Sequence, residues 1–520
     1  MASSTHSAAI QSSAGYWIRL IILGIVAGFV VTALLPVVAE ASRRSIALGI
    51  IGIGIIATVA ASRRGREVLL FVWIVALTYN RQFWSFAPIV GDHGAFGPYW
   101  MIADLALLAL LVYWAFEVVI LKIPQQPKSL RLMPWYGPFA IAAALSVVGA
   151  PEPAWALGDL SRIAKLGLVL LYFRYNVGPR QWWVIIAGLG AAVAIQSGLG
   201  ILEVVSGRTG VLGIFGISDI NVQESLGINE LFGGWTRATG TVAHPPYLAA
   251  FFLLTVPIFM SLALTLPINT IRLLCIGVTG LGAIGMICTL TRMPIAVMLA
   301  QTVLLVTLLT AMRQISIMRI VALIGFTGLA VGLIGILGAE LILERLTSDL
   351  KASVDERFEG YATALKMLGD HPLFGVGLNN YGAVMEQYDP STAWGITDKW
   401  QRVATQITHM RLLAGPLNGY LYVASVTGLV GLAAFLWLAL GGIVLGSRAI
   451  KRNRGASGSK SAGKLSPTGA ACVGMTVGMI GLYLAQITSY SIWIDTVIAV
   501  WIVLIGLLGC AAKNISNTGQ

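Results

Sequence analysis

Long apolar runs, each close to the length of one membrane crossing, alternate along the chain with polar stretches. A transmembrane helix needs about 20 apolar residues, because the hydrocarbon core of a bilayer is about 30 Å thick. The pattern predicts fourteen spans, of which 67–80 and 163–176 are the weakest. The spans are 17–38, 45–61, 67–80, 98–121, 134–150, 163–176, 182–205, 244–266, 270–290, 293–311, 318–338, 417–446, 467–487 and 490–512.

Two long polar stretches interrupt the spans and divide the chain into five predicted regions. They are an N-terminal transmembrane bundle at 1–205, a loop at 206–243, central helices at 244–338, a large loop at 339–416 and C-terminal helices at 417–512. Within the last region, residues 447–466 form a basic linker with the Gly and Ser content of a flexible segment.

The large loop has an internal pattern that predicts an ordered helix. Apolar residues recur at intervals of four, three, four and three at Val354, Phe358, Tyr361, Leu365 and Leu368. That spacing is typical of one face of an amphipathic helix. Gly369 and Pro372 supply the signals that end a helix, and the glycines of 375–381 predict a turn.

Composition narrows the class of protein. Hydrophobic residues make up 57 % of the 520 and charged residues only 11 %, whereas soluble proteins carry about 25 % charged residues. These values exclude a soluble enzyme, a disordered chain and a nucleic-acid-binding protein. The sequence therefore predicts an all-α polytopic membrane protein with about 12–14 transmembrane helices.

The distribution of Lys and Arg predicts the orientation in the membrane. With the N-terminus in the cytoplasm, the inside loops hold nineteen of these residues, and the short outside loops and nearby span ends hold six. Cytoplasmic loops are normally the basic ones, so both long loops should face outward. This bias also accounts for the net charge of +12, which could otherwise indicate an anionic partner. Arg43 and Arg44 do not fit the bias and leave the first hairpin the least secure part.

Three arginines fall at the outer ends of spans or in the outer loops. Arg237 precedes the span at 244–266, Arg292 lies in a short break between two spans, and Arg357 lies on the amphipathic helix. Each could simply be a solvated or snorkelling charge. Together they could hold a lipid-linked diphosphate, because a guanidinium binds two phosphate oxygens at once.

Other chemistry is sparse. No paired acidic motif, His/Cys/Asp cluster or Walker loop occurs, so neither a metal site nor ATP-driven transport is indicated. The four cysteines lie in apolar runs without metal-ligand spacing. His371 precedes a proline, where a turn role is favoured. His409 lies near the start of the span at 417–446 and could act as a general base. Tyr361 shares the helix face of Arg357, and aromatic rings in this loop could either anchor it at the membrane surface or stack on sugars.

Four stretches resemble the O-antigen ligase and Wzy-type polysaccharide polymerase superfamily of bacterial inner membranes. They are RATGTVAHPPYLAAFF (237–252), TLTRMPIAVMLA (289–300), RFEGYATALKMLGDHPLFGVGLNNY (357–381) and LNGYLYVASVTGLVGLAAF (417–435). Each motif is degenerate, and their order and spacing carry the resemblance. It covers about 206–446.

The resemblance implies a GT-C-like, metal-independent, inverting glycosyltransferase without a cofactor. Its donor would be a glycan on undecaprenyl diphosphate, and its acceptor a sugar or lipid on the periplasmic face of the inner membrane. Arg292 and Arg357 would hold the diphosphate, with Arg237 as a third ligand. Tyr361, His371 and Asn418 would contribute to the glycan site, and His409 is the candidate base. A chain-length regulator and a flippase are the implied protein partners.

Two positions depart from the family pattern. Leu417 stands where ligases carry the histidine of an His-Asn pair, and Val426 replaces an acidic residue. Because leucine cannot accept a proton, the departure favours a polymerase of lipid-linked repeat units, making exopolysaccharide, capsule or O-antigen. The alternative is a ligase that transfers finished glycan to lipid A core, and no feature selects a protein O-oligosaccharyltransferase. A transporter or flippase would instead predict ionisable residues near mid-span and broken helices in two matching halves, whereas the unusual arginines lie at the outer edge and the two long loops are unequal. A structural role would leave the three arginines unexplained.

Overall fold

The computed structural model describes residues 64–79, 82–85, 99–207, 236–242, 244–316, 319, 350–388, 415–454 and 464–513. Three predicted spans, at 17–38, 45–61 and 318–338, lie outside these residues apart from Arg319, and His409 lies outside them altogether.

Thirteen α-helices make up most of the described chain. They are α1 Gly65–Ala76, α2 Ile102–Val119, α3 Met133–Ser146, α4 Pro153–Asn176, α5 Pro179–Ser206, α6 Pro245–Thr265, α7 Thr270–Cys288, α8 Arg292–Ala311, α9 Leu350–Asp370, α10 Tyr381–Tyr388, α11 Gly419–Arg452, α12 Pro467–Ala485 and α13 Asp495–Lys513. A short 3₁₀ turn, Ser491–Trp493, lies between α12 and α13.

The helices confirm the predicted class. Each of the eleven predicted spans that falls in the described ranges coincides with one helix. Among the described residues, eight helices are long and apolar enough to cross a membrane, namely α2, α5, α6, α7, α8, α11, α12 and α13. The amphipathic helix predicted over 354–368 is also present as α9. The protein is an all-α polytopic membrane protein.

A small β-hairpin departs from the all-helical pattern. Strands β1 (Gln82–Ser85) and β2 (Tyr99–Met101) pair antiparallel just before α2. The span predicted from residue 98 therefore begins as a strand and becomes helical only at Ile102.

Helix α6 forms the centre of the bundle and is buried along nearly its whole length. It packs closely on α12 because glycines line the contact, and a Cβ on Gly478 would lie 2.5 Å from the Leu254 carbonyl oxygen. Pro257 has no N–H to donate to the carbonyl of Leu253. The Gln301 side chain of α8 donates to that carbonyl at 3.1 Å, so the backbone group is satisfied without water.

Helix α4 is longer than predicted because its charged half is buried in ion pairs. It begins ten residues before the predicted span 163–176. Arg162 contacts the carboxylates of Asp159 at 3.0 Å and Asp495 at 3.5 Å, and Lys165 contacts Asp104 at 2.7 Å. Pairing of this kind allows charged side chains to lie inside the bundle.

The bundle has two ends that differ in chemistry. One end, called here the basic face, carries arginines that donate hydrogen bonds to backbone carbonyls at helix ends. Arg272 donates to Ala263, Arg319 to Leu264 and Arg452 to Ala512. At the other end, called here the loop face, α6, α8, α11 and α13 begin and α9 packs on α11.

Candidate functional site at the loop face

Two of the predicted arginines lie at one turn of the loop face. Arg237 is 9 % exposed, and its Nε donates to the Thr289 carbonyl at 3.1 Å. Its Nη2 donates to the Thr291 hydroxyl, also at 3.1 Å. Arg292 is the next residue and opens α8. The fold thus brings Arg237 beside the short break that carries Arg292, although 55 positions separate them in the sequence.

The position of Arg292 adds a second source of positive potential. Its side chain is half-buried, and it occupies the first helical residue of α8. The N-terminus of a helix carries a partial positive charge from the aligned peptide dipoles. An anion at this turn would therefore meet guanidinium groups and a helix N-terminus together.

A buried carboxylate, which the sequence analysis did not single out, holds the segment that carries Arg237. Glu203, near the end of α5, is 2 % exposed. It accepts hydrogen bonds from the backbone N–H of Thr239 at 2.7 Å and of Gly240 at 2.9 Å, and from the Thr239 hydroxyl at 2.9 Å. Gln196, two turns earlier on the same face of α5, accepts from the Thr241 N–H at 3.0 Å. In the sequence, the signal that could have identified Glu203 is a single acidic residue at the end of an apolar run.

Arg357 lies on α9, which packs on α11. Its side chain is half-buried, and its Nε has no hydrogen-bond partner among the described residues. One turn further on, Gly360 rests on Pro416, where an added Cβ would lie 3.2 Å from the Pro416 Cα. The contact places Arg357 close to the chain leading into α11.

Two other predicted residues meet at one backbone carbonyl. The Tyr361 hydroxyl and the Asn418 side-chain amide each donate to the Ile487 carbonyl at 3.0 Å. The Asn418 Oδ1 also accepts from the N–H groups of Tyr420 and Leu421, so this side chain caps α11. The predicted role of both residues in glycan binding stays a prediction, and their visible role is to join α9, α11 and the connection 486–494.

His371 is exposed and lies just after the last residue of α9. The residues that follow it have a structural task that the sequence did not reveal. Helix α11 is broken at Gly428, whose φ is +68°. Backbone groups freed by the break are taken up by the segment after His371, since the Val376 N–H donates to Ser425 at 2.8 Å and the Leu429 N–H donates to Pro372 at 2.8 Å.

The loop face also contains an aromatic cluster, composed of Tyr247, Tyr381, Tyr422, Tyr490 and Trp493. The rings of Tyr422 and Tyr490 stack at 5.6 Å, and the hydroxyls of Tyr247 and Tyr490 are 3.5 Å apart. Burial raises the pKa of Tyr490, so its hydroxyl stays protonated near neutral pH. The cluster is assembled from four separate parts of the chain, and no local pattern marked it.

Two leucines adopt a left-handed backbone conformation at this face. Leu290, before α8, has φ +48°, and Leu417, before α11, has φ +47°. This conformation costs a residue with a Cβ roughly 1–2 kcal/mol. Leu290 lies two residues before Arg292, the first residue of α8, and Leu417 lies directly before Asn418, the cap of α11. Such strain is typical of functional sites.

Within the part of the chain that the structure describes, no three His, Cys, Asp or Glu side chains are grouped as metal ligands. The described loop-face chemistry is that of cations, amides, aromatic rings and the buried Glu203 carboxylate.

The fold and this site define a multi-pass membrane protein with a cationic site at one end of the bundle. Residues 277–436 match the Wzy_C family model, described as O-antigen ligase. The match confirms the resemblance to the O-antigen ligase and Wzy-type superfamily, and it contains both Arg292 and Arg357. It indicates a glycan-transferring, glycosyltransferase-like enzyme of polysaccharide biosynthesis and does not separate ligase from polymerase. A search of curated proteins found no match.

Proposed function

We propose that the protein polymerises lipid-linked oligosaccharide repeat units at the loop face, which would face the periplasm in the bacterial inner membrane. The donor would be a glycan on undecaprenyl diphosphate, and the acceptor a sugar hydroxyl of a second repeat unit. The convergence of Arg237 and Arg292 on the first turn of α8, inside or beside the family match, is the observation that carries this proposal.

The chemistry requires stabilisation of a leaving group. The acceptor oxygen forms a bond to the anomeric carbon while the bond from that carbon to the diphosphate oxygen breaks, with inversion. The hydroxyl proton leaves the acceptor, and the departing electron pair remains on the diphosphate. Arg292 and Arg357, with Arg237 as a third ligand, would bind this developing negative charge and lower the barrier electrostatically.

The choice of polymerase over ligase rests on Leu417. This residue stands where ligases of the superfamily carry histidine, and its side chain cannot accept a proton. His409 is the proposed substitute base, eight residues earlier in the sequence. Tyr361, His371 and Asn418 are proposed to border the glycan, and a flippase and a chain-length regulator are the proposed partners.

Deletion of the gene, followed by gel analysis of glycolipids and secreted polysaccharide, distinguishes the candidates. A polymerase predicts single repeat units left on the lipid carrier and no long polymer. Long chains on the carrier together with bare lipid A core would instead show a ligase. Unchanged glycan pools would overturn both.

Complementation with point variants tests the arginines themselves. We expect Arg292→Ala and Arg357→Ala to abolish product at normal membrane levels of protein. Lysine at either position should rescue poorly, since it keeps the charge but loses the two-pronged geometry. Arg448→Ala is the matched control, because Arg448 is exposed near the basic face. Full activity of both lysine variants would contradict the bidentate role.

A further inference from the structure

The basic face contains a cavity that the proposed glycan site does not use. Its volume is about 360 Å³, and it lies between the start of α3 and the end of α4. Arg131 and Arg174 contribute its charge, while Met133, Leu170 and Leu171 contribute apolar walls. None of its lining residues is acidic. The cavity thus combines a cationic part and an apolar part at one end of the bundle.

The two arginines are held differently and leave positive charge at the opening. Arg131 is exposed, and Arg174 is half-buried with its guanidinium carbon 5.6 Å from the centre of the Tyr175 ring. Tyr175 in turn stacks on Trp114 at 5.7 Å. The carboxylate of Glu117, on the neighbouring α2, is 2.6 Å from Arg66 and is thereby neutralised.

The surroundings place the cavity at the depth of lipid headgroups. Trp135 and Trp437 stack at 4.6 Å beside it, and the Trp437 indole donates to the Pro134 carbonyl at 3.0 Å. Trp437 is 44 % exposed. Tryptophans with one apolar and one polar edge collect at the membrane–water boundary. The cavity also adjoins the first turn of α3, whose dipole favours an anion.

We propose that this cavity binds one anionic phospholipid, with its phosphate between Arg131 and Arg174 and its acyl chains along Met133, Leu170 and Leu171. Basic pockets between transmembrane helices on the cytoplasmic side are a suitable chemical environment for such headgroups. A lipid matches both halves of the cavity, whereas inorganic phosphate would leave the apolar walls uncovered. Bound lipid would also stabilise the segment 128–132, which joins α4 and α13. In this segment the Lys128 N–H donates to the Arg174 carbonyl and the Leu130 N–H donates to the Gly509 carbonyl.

The test uses the full chain purified in neutral detergent. Phosphatidylglycerol and phosphatidylcholine with identical acyl chains are titrated in separate samples, and bound lipid is counted by native mass spectrometry. We expect one phosphatidylglycerol to bind in preference to phosphatidylcholine and to raise the melting temperature. Arg131→Gln and Arg174→Gln should each weaken binding of phosphatidylglycerol about five-fold, the effect expected for one basic side chain at an anionic lipid surface.

Arg448→Gln is the control, since it removes an exposed charge of the basic face outside the cavity. Arg131→Gln alone is informative even if Arg174→Gln misfolds, because the Arg131 side chain is exposed. Equal binding of the two lipids would overturn the proposal, as would unchanged binding in Arg131→Gln. Displacement of phosphatidylglycerol by millimolar inorganic phosphate would show that the site recognises phosphate and not a lipid. Neither arginine belongs to the loop-face site, so failure here leaves the proposed glycan transfer unaffected.

Discussion

Buried arginines occur in two regions of the bundle, and their partners differ. In α4, Arg162 lies between the carboxylates of Asp159 and Asp495 and donates to the Trp493 carbonyl at 2.7 Å. At the loop face, Arg237 donates to two neutral oxygens, those of Thr289 and Thr291. A buried carboxylate that loses its cation destabilises the fold, so Arg162 is tied to the stability of the bundle. The contacts of Arg237 instead fix its place at the turn that opens α8.

The two regions are also connected. Trp493 donates its indole N–H to Asp159 at 2.7 Å, and its ring lies 5.8 Å from Tyr422 of the aromatic cluster. The ion pairs thus anchor the connection 486–494, whose Ile487 carbonyl receives Tyr361 and Asn418. The ion pairs of Arg162 with Asp159 and Asp495 thus help to position the loop-face site.

The largest loss of stability should come from breaking the ion pairs of Arg162. Arg162→Ala leaves two carboxylates buried without their cation, and loss of one partner from a buried pair costs about 3–5 kcal/mol. We expect a marked fall in melting temperature and in membrane yield, measured on detergent-solubilised protein. Arg292→Ala should leave both quantities near wild type while abolishing product. Equal melting temperatures for the two variants would contradict the distinction between Arg162, which stabilises the bundle, and Arg292, which acts on the substrate.

A smaller loss of stability should follow Gly428→Ala. The left-handed backbone of Gly428 disfavours a Cβ, and an added one would lie 2.1 Å from the Leu373 carbonyl oxygen. Strain and overpacking together should cost about 2–4 kcal/mol. Product should fall as well, because the segment after His371 would detach from the break in α11. Gly277→Ala is the control, since that helical glycine faces open space and should tolerate alanine. Equal tolerance of both substitutions would show that the break is not needed.

Glu203→Gln tests whether the loop-face arginine must be positioned. The glutamine keeps the shape, but its one carbonyl oxygen must accept from the Thr239 and Gly240 N–H groups without the negative charge, and its N–H₂ faces the Thr239 hydroxyl, at a cost of about 1–3 kcal/mol. We expect a higher KM for the lipid-linked donor, with a smaller change in melting temperature than in Arg162→Ala. Glu117→Gln removes a carboxylate paired with Arg66 near the basic face and should leave the KM unchanged. A wild-type KM in Glu203→Gln would mean that Arg237 does not need this support.

The smallest expected effect belongs to Tyr361→Phe. The substitution removes one partly exposed hydrogen bond to Ile487, which contributes about 0.5–1.5 kcal/mol. Glycan length and amount should stay near wild type on a gel. Loss of product at an unchanged melting temperature would show that the hydroxyl acts on the glycan, and Tyr361 would then belong to the substrate-binding residues of the loop face.

Local pattern was sufficient to locate most helices. Helices in a membrane must be long, apolar and internally hydrogen-bonded, so eleven predicted spans coincide with described helices. The four-three spacing of α9 likewise predicts its helix, because side chains three and four positions apart share a face. Arg237, Arg292 and Arg357 could be selected as candidates from the sequence because few cations fall on the predicted outer side.

What the tertiary structure alone decided depends on partners that are distant along the chain. The charged half of α4 could not be recognised as buried, because its neutralisation requires Asp495, more than 300 positions away. The break in α11 at Gly428 is hidden in an apolar run, since the groups that satisfy it come from the segment after α9. Glu203 gained its role only when Thr239 and Gly240 folded against it. Hydropathy records what one segment prefers, whereas the pairing of charges and backbone groups is a property of segments brought together.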